Sequence, residues 1–233
     1  MMAHVIWTHR GRPHAEHSME AFAKAAESGV LHFEVDVRLT GDGKVVLVHD
    51  STTNRVSGKA GIISELSWRE LQNQKIESQF SWVTLEEFLR NFPEATISID
   101  FKSPDVVGPS IEIIKNFPNS KLILGSFSGK RVKRLMEALP HHNFTLTPSE
   151  IFLLIFGIKP AGIHIHNRYA MVPEKYFGIK VLTRAFINTC KMLRVPIHVW
   201  VINDPKKAID LISRGVSGIV TDDYPAILAH FRD

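Results

Sequence analysis

The stretch "HFEVDVRLTGDGKVVLVHD", residues 32–50, decides the architecture. Its first part alternates with a period of two. Phe33, Val35, Val37 and Leu39 fall on one face, and Glu34, Asp36 and Arg38 on the other, as in a β-strand. A second apolar run, "VVLVHD" at 45–50, follows after only "TGDGK". Five residues cannot carry a parallel crossover, which needs a dozen or so. Asp42-Gly43 is a hairpin signal, so 45–50 is expected to fold back antiparallel on its predecessor.

Working outward, further strand candidates are 5–9 "VIWTH", 96–102 "TISIDFK", 122–127 "LILGSF", 144–148 "FTLTP", 162–166 "GIHIH", 197–203 "IHVWVIN" and 218–222 "GIVTD". Most are separated by amphipathic runs such as "SMEAFAKAAESG" (18–29), which starts on a Ser cap and closes on Gly29. "TLEEFLRNFP" (84–93), "SGKRVKRLMEALP" (128–140), "TRAFINTCKMLR" (183–194) and "DPKKAIDLISRG" (204–215) repeat the pattern. Alternating strand and helix implies a parallel sheet. With 45–50 set aside, eight strands remain, the count that closes a (β/α)₈ barrel. An open doubly wound sheet would carry a glycine-rich turn after its first strand, and "HRGRPH" (9–14) is not that turn. Residues 51–83 read as an irregular insertion holding one short helical piece, "SWRELQN". No linker or repeat divides the chain, so residues 1–233 read as a single α/β barrel domain with a small insertion after the second-strand hairpin.

The 233 residues are 44% hydrophobic and 22% charged, which suits a sizeable core and an ordinary enzyme surface. A net charge of +4 without a basic run favours a small anionic compound over nucleic acid. The lone Cys190 excludes an internal disulfide framework and fits a reducing compartment. No signal segment precedes the first strand, and a cytoplasmic location is expected. The longest apolar run, "IFLLIFGI" (151–158), is too short to span a bilayer and reads as a buried helix, so stable membrane insertion is not expected. The oligomeric state is left open.

In a barrel the apolar strand face meets the helices and the polar face points inward. Glu34, Asp36 and Asp100 would then converge inside, with Arg38 and Lys102. Clustered carboxylates in an interior are costly unless compensated. A divalent cation such as Mg²⁺ or Ca²⁺, which prefers hard oxygen ligands, would compensate them. Internal ion pairs, Glu34 with Arg38 and Asp100 with Lys102, are the other reading. His9 and His49 end strands at the mouth, where such barrels build their sites, and suggest a general acid and a general base. Arg10 offers a donor fork suited to phosphate. Trp200, Ile202 and His198 are expected on one strand face, with Trp200 placed to pack against a substrate or to fill the barrel. His164 and His166 read as interior hydrogen bonders, and His141 and His142 as solvated.

The run "HRGRPHAEHSMEAFAKAAESGVLHFEVDVRLTGDGKVVLVHD", with "WVTLEEFL", "ISIDFK" and the closing "IHVWVINDPKKAIDLISRGVSGIVTDDYPAIL", resembles the glycerophosphodiester phosphodiesterase family. The likeness runs from His4 to Leu228. It implies a (β/α)₈ barrel and metal-dependent hydrolysis of a small glycerophosphodiester to glycerol 3-phosphate and an alcohol, in glycerol and lipid metabolism. It also implies His9 and His49 as the acid–base pair, Glu34, Asp36 and Asp100 as metal ligands, Lys102 as a substrate contact and Glu16 as a secondary metal or substrate contact; Arg10 and Trp200 are expected substrate contacts from their own chemistry. Asp100 stands where many members have glutamate. The family's Glu-Asn-Thr segment is altered here, with Ala15, His17 and Ser18 around Glu16, and the loop before it is about two residues shorter. A phospholipase D-like action on lysophospholipids or sphingolipids is the alternative, which an apolar rim at the mouth would favour. A non-catalytic phosphate- or lipid-binding barrel is the remaining one.

Overall fold

The computed structural model describes residues 5–159 and 167–231. The chain begins with strand β1 (Val5–His9), helix α1 (Met19–Glu27), β2 (His32–Leu39) and β3 (Val45–Leu47). Two short helices, α2 (Asn54–Ser57) and α3 (Trp68–Gln72), lead to α4 (Leu85–Asn91), β4 (Thr96–Phe101), α5 (Val107–Lys115), β5 (Lys121–Gly125) and α6 (Gly129–Ala138). Then come β6 (Asn143–Thr145), α7 (Pro148–Ile155), β7 (Arg168–Pro173) and a small hairpin, β8 (Lys175–Tyr176) and β9 (Ile179–Lys180). The chain closes with α8 (Arg184–Met192), β10 (Ile197–Trp200), α9 (Pro205–Ser213), β11 (Gly218–Thr221) and α10 (Tyr224–Ala229).

Eight parallel strands, β1-β2-β4-β5-β6-β7-β10-β11, close on themselves because β1 pairs with both β2 and β11. This is the (β/α)₈ barrel. β3 lies antiparallel against β2, with Val37 opposite Leu47, as the short turn required. Helix starts follow local chemistry. Ser18 accepts from the Ala21 N–H, and Thr84-Glu87 and Thr147-Glu150 form capping boxes that satisfy otherwise orphaned donors.

The outward strand faces meet the helices in an apolar layer. Phe33, Val35, Val37, Ile97, Ile99 and Phe101 are fully buried there, and Phe22 packs edge-on against Phe88 with ring centroids 4.7 Å apart. The barrel floor holds Trp7, Ile123 and Val220, with Trp7 against the His198 ring at 5.3 Å.

Several sequence expectations need correction. The seventh barrel strand is β7, "RYAMVP"; the expected strand at 162–166, with His164 and His166, lies outside the described residues. The insertion holds two helices, and Val56, Ile63, Leu71, Ile76 and Trp82 form a satellite core with Val46 and Val48. The run 151–158 is not a buried helix. Only Leu154 is buried in α7, with Ile151 and Ile155 half-buried beside it, while Phe152 and Phe156 lie one turn apart on the opposite face, exposed. Ile158 lies past the helix end and is exposed too. His142 is buried rather than solvated. Ile202 does not share a face with His198, because the ladder ends at Trp200 and Ile202 turns into the helix-side core.

His198 is 3% exposed, and its Nδ1 lacks a partner. Burial, aided by the nearby His32, pushes its pKa down to about 3. The unfolded chain therefore takes up a proton near the ordinary histidine pKa while the folded chain does not. Stability from this group is full above about pH 6.5 and falls as pH drops toward 3. Lowering the pH from 6.5 to 5 should cost about 2 kcal/mol through His198. In urea titrations at both pH values, His198→Met should flatten that part of the slope.

Candidate active site

The mouth cavity lies at the carboxyl ends of the barrel strands. His9 and Arg10 line it from the end of β1, Glu34 and Asp36 from β2, Asp100 from β4, and His49, Lys102 and Trp200 from the segments after β3, β4 and at the end of β10. Gly125 keeps the cavity open: a Cβ there would sit 2.6 Å from Thr145 Cγ2. Behind Arg10 the chain turns through Gly11 at φ +82°, where a Cβ would lie 2.8 Å from Ala21 Cβ. A side chain at that glycine would push α1 off the loop.

Each histidine is oriented by its own carboxylate. His9 Nδ1 lies 2.7 Å from Asp222 Oδ1, and its Nε2 lies 3.8 Å from Glu34 Oε2. His49 Nδ1 lies 2.7 Å from Asp50 Oδ1. A carboxylate on Nδ1 fixes the tautomer and leaves Nε2 available to the cavity. The His9 side chain is 15% exposed and that of His49 37%, so His9 lies deeper. Asn203 Oδ1 accepts the Asp222 N–H at 2.8 Å and holds the carboxylate in place. Burial works against the Asp222 charge, but the hydrogen bond to His9 keeps its carboxyl below the usual range.

The acidic wall is threaded with cations. Lys102 Nζ lies 2.7 Å from both Asp36 Oδ1 and Asp100 Oδ2, and Arg10 Nε lies 2.8 Å from Asp36 Oδ2. Asp36 is 1% exposed, yet these cations, Lys102 foremost, hold its pKa at about 2 against burial. Glu34 is the opposite case. Burial and then the Asp36 charge push its pKa well above the carboxylate range, and its Oε2 has no hydrogen-bond partner. Asp100 is raised too, burial outweighing Lys102. Of the two internal ion pairs that the sequence allowed, Asp100 with Lys102 is present. Arg38 instead donates to the His49 carbonyl at 2.8 Å.

Three carboxylates on adjacent strands thus face two cations. The orphaned Glu34 oxygen and the all-oxygen donor set suit a hard divalent ion. Among the described residues, however, no three His, Cys, Asp or Glu side chains converge closely enough to hold one as they stand. Lys102 instead bridges Asp36 and Asp100.

Glu16 does not line the cavity, contrary to its expected substrate contact. Both its oxygens accept from Arg55 at 2.8 Å, and Arg10 Nη1 lies 3.5 Å away. Burial opposes the Glu16 charge, but Arg55 brings its pKa to about 2. The same Arg55 donates through Nε to Asp50 at 2.6 Å. A continuous chain therefore runs His49–Asp50–Arg55–Glu16–Arg10–Asp36. Arg55→Ala should leave Glu16 without its fork, costing about 1–3 kcal/mol in chemical denaturation. It should also lower kcat about ten-fold by freeing Asp50. In a cycle with Asp50→Asn, the two losses in kcat should fall short of additive.

The glycerophosphoryl diester phosphodiesterase family model matches residues 9–225. The chain belongs to the glycerophosphoryl diester phosphodiesterase family. A probable glycerophosphodiester phosphodiesterase 2 of Mycobacterium tuberculosis is 27% identical over 213 residues, covering 88% of this chain and 81% of that protein. The lysophospholipase D GDPD1 of Rattus norvegicus is 24% identical over 270 residues, covering 96% and 84%. The crystal structure of a glycerophosphodiester phosphodiesterase from Thermotoga maritima superposes with a TM-score of 0.75 at 26% identity, each chain covered completely. The family is one of hydrolases, and the family match takes in both cavity histidines and all three carboxylates. No helix of the described residues is long and apolar enough to cross a membrane.

Proposed function

We propose that this family member hydrolyses glycerophosphodiesters to glycerol 3-phosphate and an alcohol, with His9 and His49 as the acid–base pair. The observation that carries this is the pair of Asp-oriented histidines on one cavity wall with Glu34, Asp36, Asp100, Arg10 and Lys102. Glu34, Asp36 and Asp100 would hold a divalent ion, Mg²⁺ or Ca²⁺, once Lys102 turns toward substrate. Bound there, such an ion supplies Lewis-acid polarisation of a non-bridging phosphate oxygen. Lys102 and Arg10 share the phosphate charge.

His9, the deeper histidine, takes the proton of the glycerol hydroxyl next to the ester, and that oxygen attacks phosphorus. His49, nearer solvent, protonates the departing alcohol as its P–O bond breaks. Water then opens the cyclic phosphate with the two roles reversed. Trp200 packs against the glycerol or the leaving group. The buried single thiol Cys190 is in keeping with a cytoplasmic enzyme.

Release of glycerol 3-phosphate from glycerophosphocholine by purified protein, with Mg²⁺, with Ca²⁺ and with EDTA, tests the reading. Metal-dependent release supports it; release unaffected by EDTA removes the metal from it. A second reading, action on lysophospholipids, is favoured by one observation: the apolar residues Ile151, Phe127, Met171 and Trp200 line the cavity opposite the carboxylates. Lysophosphatidylcholine in parallel tubes separates the two.

A further inference from the structure

The rim of the mouth is apolar on one side, and that surface continues outward past the cavity. Phe127 and Trp200 line the cavity with ring centroids 6.2 Å apart. Tyr176 stacks on Phe127 at 6.5 Å, and Phe177 stands edge-on to Tyr176 at 4.6 Å. These last two belong to the β8–β9 hairpin, whose tip reads Tyr176-Phe177-Gly178-Ile179. Phe177 is 89% exposed and Ile179 52%.

Two features are costly within the isolated fold. Phe177 has φ +46° and Gly178 φ +81°, a turn conformation that Asn and Gly adopt with least cost and that gives a bulky ring no burial in return. Lys175 and Lys180 sit directly opposite each other across the hairpin. Like charges so placed repel. Neither has an acidic partner among the described residues, whereas Glu174 at the hairpin base is already paired with Lys207. An anionic surface that took up the rings and faced the lysines would offset the first cost by burying the ring and relieve the second.

We infer that the β8–β9 hairpin is a docking tip for an anionic phospholipid bilayer. Aromatic and aliphatic side chains at a tip enter the headgroup boundary, and flanking lysines add attraction to anionic lipid. A second copy of the chain is disfavoured as occupant, since it would bring the same lysines together. Docking in this way sets the cavity, through Phe127, at the lipid surface.

Co-sedimentation of the full chain with vesicles tests this. Vesicles of phosphatidylglycerol and phosphatidylcholine should bind at least about ten-fold more tightly than phosphatidylcholine alone, with binding weakened by salt. Each lysine near such a surface is worth about five-fold, so K175E/K180E should lose about 25-fold or more. F177S/I179S should lose at least about ten-fold. Both variants should keep the parent's circular dichroism and thermal melt, which reports that they fold, and should hydrolyse soluble glycerophosphocholine as the parent does. Equal binding to both vesicle types, no binding at all, or variants that bind like the parent would overturn the inference. So would a concentration-dependent dimer that F177S/I179S dissolves in the absence of vesicle binding. Binding is read without turnover, so it stands or falls apart from the reaction proposed above.

Discussion

Replacing His49 with alanine lowers kcat for glycerol 3-phosphate release by about 10²–10⁴-fold, and His9→Ala does the same. Both side chains are held by one carboxylate each, so either loss removes a positioned proton carrier and leaves the cavity wall otherwise intact. The two variants separate when the leaving group changes. A diester whose alcohol departs as a stable anion needs no proton from His49. In the pre-steady-state release of nitrophenol from a nitrophenyl ester, His49→Ala should therefore recover most of its rate, whereas His9→Ala should not, because attack still needs a base; opening of the cyclic phosphate, where His49 is the base, stays slow in His49→Ala. Equal recovery in both would reverse or dissolve the assignment. A His49→Ala enzyme within a few-fold of the parent on glycerophosphocholine would end the scheme.

How much of this was legible in the sequence depended on whether a side chain's partner lay nearby in the chain. Period-two alternation in 33–39 and 96–102 placed Glu34, Asp36, Asp100 and Lys102 inward without reference to anything distant. The five-residue turn forced β3 antiparallel for the same local reason. His9 and Asp222, in contrast, stand 213 residues apart and meet only because β1 pairs with β11 when the barrel closes. Nothing in the sequence local to Asp222 points to a histidine. Arg55 lay in a segment without periodicity, so its reach to Glu16 and Asp50 had no sequence signal, although the adjacent His49-Asp50 pair offered a hint of the second dyad. β7 was missed because "RYAMVP" opens on arginine and ends on proline, a poor strand in isolation that pairing with β10 stabilises. The apolar rim has no single sequence signal, because it is assembled from Phe127 after β5, Ile151 in α7, Tyr176 after β7 and Trp200 at the end of β10.

Glu34→Gln separates a metal ligand from a structural ion pair. Asp36 and Asp100 already have Lys102 within ion-pair distance, and Arg10 lies 2.8 Å from Asp36; the buried Glu34 Oε2 has neither a hydrogen-bond partner nor a Lys or Arg beside it among the described residues. Burial and Asp36 raise its pKa, so the folded chain holds this proton to higher pH than the unfolded chain does. The group therefore favours folding at low pH, and that contribution is lost as pH rises through its folded value. The glutamine isostere carries no charge to bury, so without metal Glu34→Gln should be as stable as the parent at pH 7, or more so. With metal the order reverses. An ion that binds only the folded parent at 100 times its Kd adds about 3 kcal/mol. Thermal melts should show that rise with Mg²⁺ or Ca²⁺ in the parent and its absence in Glu34→Gln, with kcat/KM down at least about 100-fold. A metal-free variant that melts well below the parent, with the metal response intact, would make Glu34 a structural residue and move the ion elsewhere. Should the response vanish in Glu34→Gln and in Asp100→Asn but persist in Asp36→Asn, then Lys102 and Arg10 keep Asp36 for themselves, and the ion is held by the two carboxylates whose pKa values burial raises.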